Sequence, residues 1–243
     1  MNYRKALADK YLVGKGIEFG ALHNPLVVDK NKAEVLYADK FDKKKLLKNF
    51  KELIPIQDSI VETDVFIDLN NPSFKSLNNN KFDFFIANHV IEHLINPLKF
   101  IENMNLIMNP GSFLYLAVPD KEYNFDHKRE LTSWEHLYDE YKRNTTKLSK
   151  AHLEDFIFNT SNEVLDRPES RAELNQKYSN WYERFKLLRL HQKRSIHVHV
   201  WNQETFSAFL NKAITNLNLN FSLADMVNSA DNKEEIIYII EKT

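Results

Sequence analysis

Residues 82–119 read FDFFIANHVIEHLINPLKFIENMNLIMNPGSFLYLAVP, and the fold class follows from the pattern within them. The two ends of this stretch, FDFFIANH (82–89) and SFLYLAVP (112–119), are nearly continuous apolar runs, as in strands that are covered on both faces. Between them, Asn96 and Pro97 suit the N-cap and the first residue of a helix, which the NPG turn then ends. This order predicts two parallel strands joined by a crossover helix.

The same alternation continues upstream of this stretch. Three further strands are predicted, at GIEF (16–19), AEVLYAD (33–39) and DSIVETDV (58–65). Asp42 is suited to cap a helix between the last two strands, and the apolar stripe of that helix continues to Ile54.

Downstream, an apolar stripe of helical spacing occupies residues 206–217. The chain then closes with two predicted strands, FSLADMVNS (221–229) and EEIIYIIEK (234–242), which are antiparallel because only a short polar turn separates them. We therefore predict an α/β fold: a doubly wound, mostly parallel, Rossmann-like sheet with an antiparallel last strand.

Residues 120–195 interrupt the alternation, because no strand pattern lies within them. Thr132 and Glu135 match a capping box for a helix through about residue 143. Further helices are predicted near 148–158 and 170–192. The sequence thus predicts a helical insertion between the fifth strand and the last helix.

This reading divides the chain into a core, residues 1–119 and 196–243, and an insertion, residues 120–195. Within the insertion, residues 142–194 hold 12 Lys and Arg against 7 Asp and Glu, a local charge of +5. The whole chain of 243 residues has a formal net charge of −1, which gives no general attraction for nucleic acid or an anionic membrane. We expect no nucleic-acid partner; the sequence leaves the oligomeric state open.

Cysteine is missing from the sequence, so disulfides and thiolate metal sites are excluded. The first 16 residues lack the apolar core of a signal peptide, and no apolar run is long enough to span a bilayer. We expect a cytoplasmic protein without a membrane span.

Three of the four glycines fall at Gly14, Gly16 and Gly20, around the stretch KGIEFGALHNPL (15–26). Glycine allows positive φ and the close approach of a ligand. The spacing differs from the G-x-G-x-x-G of a dinucleotide site, and little room for a helix follows it. An acid in this strand followed by a glycine turn predicts a ligand at the carboxyl end of the strand, one that needs no helix N-terminus for a phosphate.

With these motifs, the sequence resembles the class I S-adenosylmethionine-dependent methyltransferases. The likeness is most specific in residues 82–119, with their EHL and PG elements. GIEFGALHNPL and the segment AVPDKEYNFDHKRELTSWEHLYDEY further resemble a bacterial subgroup associated with surface-polysaccharide biosynthesis. The resemblance departs at Leu22 and Asn24, where glycines are usual.

The resemblance implies S-adenosylmethionine as cofactor and S-adenosylhomocysteine as product. It places the first motif at residues 18–22, a ribose-binding acid at Asp39 and an adenine contact at Asp64. The cofactor-binding residues it implies are Glu18, Gly20, Ala21, Leu22, Asp39, Asp64, Val65, Asn88 and His89.

The implied reaction transfers a methyl group to a small acceptor, such as a hydroxyl or phosphate-type oxygen of a sugar, nucleotide-sugar or capsule precursor. The insertion would then be an acceptor-binding cap, and its positive charge suits an anionic or sugar-linked acceptor. The alternative is a catalytically inactive methyltransferase-like protein that binds the cofactor or a partner.

Methyl transfer to a hydroxyl needs a positioned base, and histidine suits that role near neutral pH. His197 and His199 lie two apart in a predicted strand, SIHVHVW, and would share a face. His136 would share a helix face with Asp139. We expect His199 or His136 to be the base, with His197 nearby.

Asp120 follows the fifth strand directly and would orient or pair with that base. The histidines could instead ligate a divalent metal with Asp120, but the spacing alone does not favour a metal site. His93 in the EHL motif is interpreted as a structural residue that hydrogen-bonds a neighbouring loop.

Overall fold

The computed structural model describes residues 2–71, 74, 77, 82–160, 171–192 and 195–243. Its centre is one seven-stranded sheet with the order β3-β2-β1-β4-β5-β7-β6. The strands are β1 (Gly14–Phe19), β2 (Ala33–Asp39), β3 (Val65–Phe66), β4 (Phe84–Asn88), β5 (Phe113–Pro119), β6 (Phe221–Val227) and β7 (Glu235–Lys242). Strands β1 to β5 pair in parallel, and β7 pairs antiparallel with both β5 and β6. The predicted fold class is confirmed.

Helices cover the sheet and fill the region between β5 and the last helix. The α-helices are α1 (Tyr3–Tyr11), α2 (Lys43–Asn49), α3 (Pro97–Ile107), α4 (Trp134–Lys142), α5 (Lys150–Asn159), α6 (Arg171–Lys177), α7 (Trp181–His191), α8 (Gln203–Asn216) and α9 (Ser229–Asn232). The N-cap side chains of Asp42 and Asn96 accept the backbone N–H groups of Lys45 and Lys99, as their residue types predicted. In the described part of the chain, no helix has the length and apolar character needed to cross a bilayer.

The third strand differs most from its prediction. DSIVETDV was expected to form a strand, but residues 51–59 form a 3₁₀ helix that contains Pro55, and pairing starts only at Val65. The same 3₁₀ helix ends α2 at Asn49, short of the predicted Ile54. The Val61 N–H donates to the carbonyl oxygen of Leu22 in the β1–β2 loop, which takes the first part of the predicted strand out of the sheet.

The insertion is mainly helical in its described residues, with two local differences from prediction. The N-cap of α4 is Ser133, which accepts the His136 N–H, whereas the hydroxyl of Thr132 accepts the Val200 N–H. The predicted helix over 170–192 is two helices, α6 and α7, and residues 161–170 and 193–194 lie outside the described residues.

The segment 195–200 was predicted as a strand but does not pair with the sheet. It is fixed instead by Glu92, whose backbone carbonyl accepts the N–H groups of Val198 and His199. Ile196 and Val198 pack with Leu153, Phe156 and Ile157 of α5 and thereby attach this segment to the insertion.

The central strand β1 packs tightly on β4. Gly16 pairs with Phe84, and a methyl group on Gly16 would lie 1.9 Å from Cε2 of the Phe84 ring. This contact explains one of the clustered glycines by packing rather than by ligand binding, and it fixes β1 close to β4.

We predict that Gly16→Ala lowers the free energy of unfolding by about 1–3 kcal/mol, because the buried Phe84 ring must move. Lys15→Ala, at the neighbouring exposed position, is the control and should stay near wild type. Urea unfolding followed by circular dichroism measures both. Equal midpoints for Gly16→Ala and wild type would contradict this packing argument.

Candidate functional site

A cavity of about 900 Å³ lies at the carboxyl ends of β1, β2 and β4. One side is formed by the loops that follow these strands, with Gly20, Asp39 and His89. The other side belongs to the insertion and the segment after it. The lining residues from that side are Lys147, Leu148, Gln192, Ser195, Ile196 and Val198. The carboxyl ends of parallel strands are the usual ligand position in open α/β sheets.

The turn after β1 has backbone geometry that allows close approach. Gly20 has φ of +63° and Leu22 has φ of +49°. Glycine adopts such angles without strain, whereas a leucine does so at a cost of about 1 kcal/mol or more. Leu22 replaces the glycine that is usual in the resemblance, and the chain still adopts the turn there. Both residues line the cavity, with Ala21 between them.

Glu18 is buried at 1% exposure and acts on the loop of this turn. Its two carboxylate oxygens accept the Leu26 N–H at 3.0 and 3.1 Å, and Oε1 also accepts the Asn88 side-chain amide at 3.3 Å. Burial raises the pKa of Glu18 to about 7, although these hydrogen bonds oppose the shift. Glu18 therefore joins β1, the β1–β2 loop and the end of β4, and it is not among the lining residues.

Asp39 ends β2 and lines the cavity, as its predicted position requires. Its Oδ1 accepts the Phe41 N–H at 3.0 Å, which orients the carboxylate, and burial raises its pKa. Hydrogen bonds from the Phe41 and Lys40 N–H groups oppose this shift, and the carboxylate keeps further acceptor capacity at the cavity wall.

Asp64 is placed differently from its prediction. It precedes β3 instead of ending it, and its Oδ2 accepts the Tyr37 N–H at 2.8 Å. Neither Asp64 nor Val65 lines the cavity. The acid that follows β3 is Asp68, which pairs with the cavity-lining Lys40 at 2.6 Å. The sequence interpretation missed Asp68 because the strand was placed too early.

A buried carboxylate surrounded by imidazoles lies at the end of β4. Glu92 Oε1 is 3.6 Å from His89 Nδ1, 3.8 Å from His93 Nε2 and 3.9 Å from His197 Nε2. Neither Glu92 oxygen has a hydrogen bond with a described residue. Glu92, His93 and His197 could hold a cation between them, and His89 and His93 line the cavity.

The ring nitrogens of His89 and His93 that face away from Glu92 contact other groups. His89 Nε2 contacts Glu235 Oε2 at 2.7 Å; burial lowers the pKa of His89, but this carboxylate and Glu92 outweigh burial and raise it. His93 Nδ1 lies 2.9 Å from the carbonyl oxygen of Ile196, and burial lowers its pKa. His93, interpreted from sequence as structural, thus has a structural contact and also faces the cavity.

His197 lies behind His93 rather than on the cavity wall. Its Nδ1 is 2.6 Å from Asp126 Oδ2, and Arg129 donates to the other oxygen of Asp126 at 2.8 Å. Burial alone would raise the pKa of Asp126, but these two partners lower it.

The remaining predicted catalytic residues do not line the cavity. Asp120 is buried and caps the turn after β5; it accepts the Glu122 N–H, the Gln203 N–H and the Ser229 hydroxyl. These contacts join β5 to the start of α8 and leave the carboxylate without a role at the cavity. His136 does not pair with Asp139, which bonds Arg143 instead.

His136 and His199 meet each other away from the cavity. They form a cluster with Glu140 and His152. Glu140 lies four residues after His136 on α4, so helical spacing could have found it, but His152 is brought in only by the packing of α5. His197 and His199 therefore belong to two different clusters, contrary to the shared face that a strand would give them.

Comparison with known proteins identifies the family. A family model described as a methyltransferase domain matches residues 13–213, from just before β1 to within α8. This match spans the cavity and the described insertion. Comparison with curated proteins gave no match.

Solved structures share the fold. A protein from Rhodobacter sphaeroides described as a Zn-dependent alcohol dehydrogenase has a TM-score of 0.54 at 16% identity, over 96% of this chain and 86% of that chain. A SAM-dependent methyltransferase from Aquifex aeolicus has a TM-score of 0.46 and 11% identity, over 96% of this chain and 84% of that chain. An S-adenosylmethionine-dependent methyltransferase from Clostridium acetobutylicum has a TM-score of 0.47 and 9% identity, over 97% of this chain and 87% of that chain. At such identity, the first likeness concerns the fold alone.

We predict that Glu18 makes the protein less stable as pH rises. Its folded pKa of about 7 lies above the ordinary value of 4.5, so its stabilising contribution is complete below pH 4.5 and is lost as pH rises through 7. Relative to Glu18→Gln, the wild type should lose up to about 3 kcal/mol of unfolding free energy across this window. Urea unfolding at several pH values measures it, with Glu34→Gln on exposed β2 as control. Parallel wild-type and Glu18→Gln profiles would contradict the shifted pKa.

Proposed function

The chain belongs to the methyltransferase-domain family, and we propose that it transfers the methyl group of S-adenosylmethionine to an oxygen of a small, anionic or sugar-linked acceptor. One observation carries this proposal. The same cavity has a glycine turn, the Asp39 carboxylate and the imidazoles of His89 and His93 on its strand side, and Lys147 on its insertion side. The glycine turn and Asp39 suit the donor, and the imidazoles and the lysine suit an acceptor.

The donor end follows from hydrogen-bonding capacity. The Asp39 carboxylate lines the cavity and has acceptor capacity beyond its backbone contacts, so it can accept a ribose hydroxyl in a charge-assisted bond. The Gly20 turn lets the methionine part of the cofactor approach the backbone. Glu18 and Asn88 support this end by holding the loop, and the Asp68–Lys40 pair borders it.

The acceptor end follows from space and charge. A cavity of about 900 Å³ is near the upper end for small-molecule sites, which leaves room beside a cofactor. Lys147 lines the insertion side and forms no ion pair with any described residue. A lysine without a carboxylate partner can bind a phosphate or carboxylate of the acceptor, in agreement with the basic composition of residues 142–194.

The proton acceptor in this proposal is His93. Its lowered pKa keeps the imidazole neutral at pH 7, and it lines the cavity, whereas His136, His197 and His199 do not. Its Nδ1 contact to Ile196 fixes the ring. The sequence-based choice of His199, His136 and Asp120 is replaced here because their contacts lie elsewhere.

The proposal is tested by calorimetric titration with S-adenosylmethionine, followed by methyl-transfer assays on a neutral sugar, a sugar phosphate and a nucleotide sugar. We expect cofactor binding and transfer that prefers the anionic acceptors. Lys147→Ala should raise KM for these, while Lys5→Ala on α1, paired with Asp9, should not. Binding without transfer to any acceptor would favour the inactive, binding-only alternative, and an absence of cofactor binding would refute the proposal.

In the same assay, His93→Gln should lower kcat by about 100-fold or more, because a positioned base contributes about 10²–10⁴ in rate. Cofactor affinity should change little. As pH falls, the wild-type kcat/KM should decline only below the ordinary imidazole pKa, because burial lowers the pKa of His93. Exposed His127→Gln is the matched control. Near-normal turnover by His93→Gln would exclude His93 as the base.

A further inference from the structure

Four side chains of types that can ligate a metal converge outside the cavity, and the proposed methyl transfer does not use them. They are His136 and Glu140 on α4, His152 on α5 and His199 in the segment before α8. Glu140, His152 and His199 are buried, and the His136 side chain is about half exposed. The cluster therefore joins three separate parts of the chain and has one edge open to solvent.

The ligand atoms face one another at short range. His136 Nε2 is 2.9 Å from His152 Nε2 and 3.4 Å from Glu140 Oε2. Glu140 Oε1 is 3.5 Å from His152 Nε2, and Glu140 Oε2 is 3.5 Å from His199 Nε2. All four residues offer a ligand atom within 4.8 Å of every other.

These separations, measured from both oxygens of Glu140, are close to those between the ligands of a metal site. Four nitrogen and oxygen ligands placed tetrahedrally at ~2.0–2.1 Å from Zn²⁺ stand ~3.4 Å apart. Three of the four measured separations are 3.4 or 3.5 Å, and the fourth is 2.9 Å. Three imidazoles and one carboxylate also form a donor set that Zn²⁺ and related first-row cations prefer.

The charges in the cluster also call for a cation. Glu140 Oε2 is buried without a hydrogen-bond partner, and no lysine or arginine among the described residues forms an ion pair with Glu140. A buried carboxylate without compensation is costly, and burial accordingly raises the pKa of Glu140 to about 7; a cation would favour its charged form. Burial lowers the pKa of His152 to about 4 and that of His199 well below its usual range, so both rings are neutral at pH 7 and keep a lone pair.

We propose that His136, Glu140, His152 and His199 bind one Zn²⁺ or a similar divalent transition metal. The four protein ligands complete a tetrahedron and leave no open position, which is the arrangement of a structural site rather than a catalytic one. None of the four lines the cavity, and the proposal does not depend on the methyl-transfer reaction.

The metal would fix the insertion to the cavity wall. His199 directly follows Val198, which lines the cavity, and on binding a metal its Nε2 would exchange its 3.3 Å contact with the Ile95 carbonyl oxygen for the cation. By joining α4 and α5 to this segment, the metal holds the acceptor side in place. The main alternative is a metal-free cluster in which His136 and His152 share one hydrogen bond.

The test uses the full chain, stripped with a chelator and dialysed, and then titrated with Zn²⁺ and with Co²⁺. We expect one metal ion per chain by elemental analysis, a rise in Tm on adding Zn²⁺, and the visible absorption of tetrahedral Co²⁺. His136→Ala should weaken Zn²⁺ affinity by more than about 100-fold, since even outer-shell partners are worth about 10–100-fold. His127→Ala, an exposed histidine elsewhere, should bind as wild type does.

His136→Ala is chosen because its half-exposed side chain can be removed with little loss of packing. Its circular dichroism and its affinity for S-adenosylmethionine should match those of the metal-free wild type, which separates loss of the metal from loss of the fold. Wild-type protein that takes up no stoichiometric metal, or a His136→Ala variant that binds Zn²⁺ as tightly as wild type, would overturn the proposal.

Discussion

The buried carboxylate of Glu18 fixes the loop at the edge of the sheet that borders the cavity. It lies at the end of β1, where it accepts the Leu26 N–H with both oxygens and the Asn88 amide with one. These bonds fix the loop that carries the Gly20 turn and relate it to the end of β4, where His89 begins the histidine cluster. Burial makes the charged form of Glu18 costly, so the loop gains its shape at the expense of stability at high pH.

The two sides of the cavity come from different parts of the fold. The parallel strands and the Glu18 contacts place the Gly20 turn and Asp39 on one side of the cavity. The insertion supplies the opposite side through Lys147, Leu148 and the segment that follows α7. Glu92 connects the two, because its carboxylate faces the cavity histidines while its backbone carbonyl holds Val198 and His199. Under the proposed function, variation in the insertion would change the acceptor and leave the donor side unchanged.

Much of the fold could be predicted from sequence because its signals are local. The apolar runs of β4 and β5 and the Asn96–Pro97 helix start are readable without a partner. The errors lie where tertiary partners decide the outcome: Val61 bonds the Leu22 carbonyl in the β1–β2 loop, and the Glu92 carbonyl holds residues 195–200 away from the sheet. The sequence pattern located Asp39 at the end of β2. The surroundings of His93 and His199, in contrast, are set by tertiary packing. No spacing in the sequence links His152 to His199.

A crystal structure of the protein with S-adenosylhomocysteine tests the central claim most directly. We expect the ribose hydroxyls to lie within hydrogen-bond distance of Asp39 and the homocysteine part to lie along the Gly20 turn. The sulfur should then face the part of the cavity bordered by His93, with open space toward Lys147. A cofactor bound away from Asp39 and Gly20, or a sulfur turned away from His93, would contradict the assignment of the two ends of the cavity.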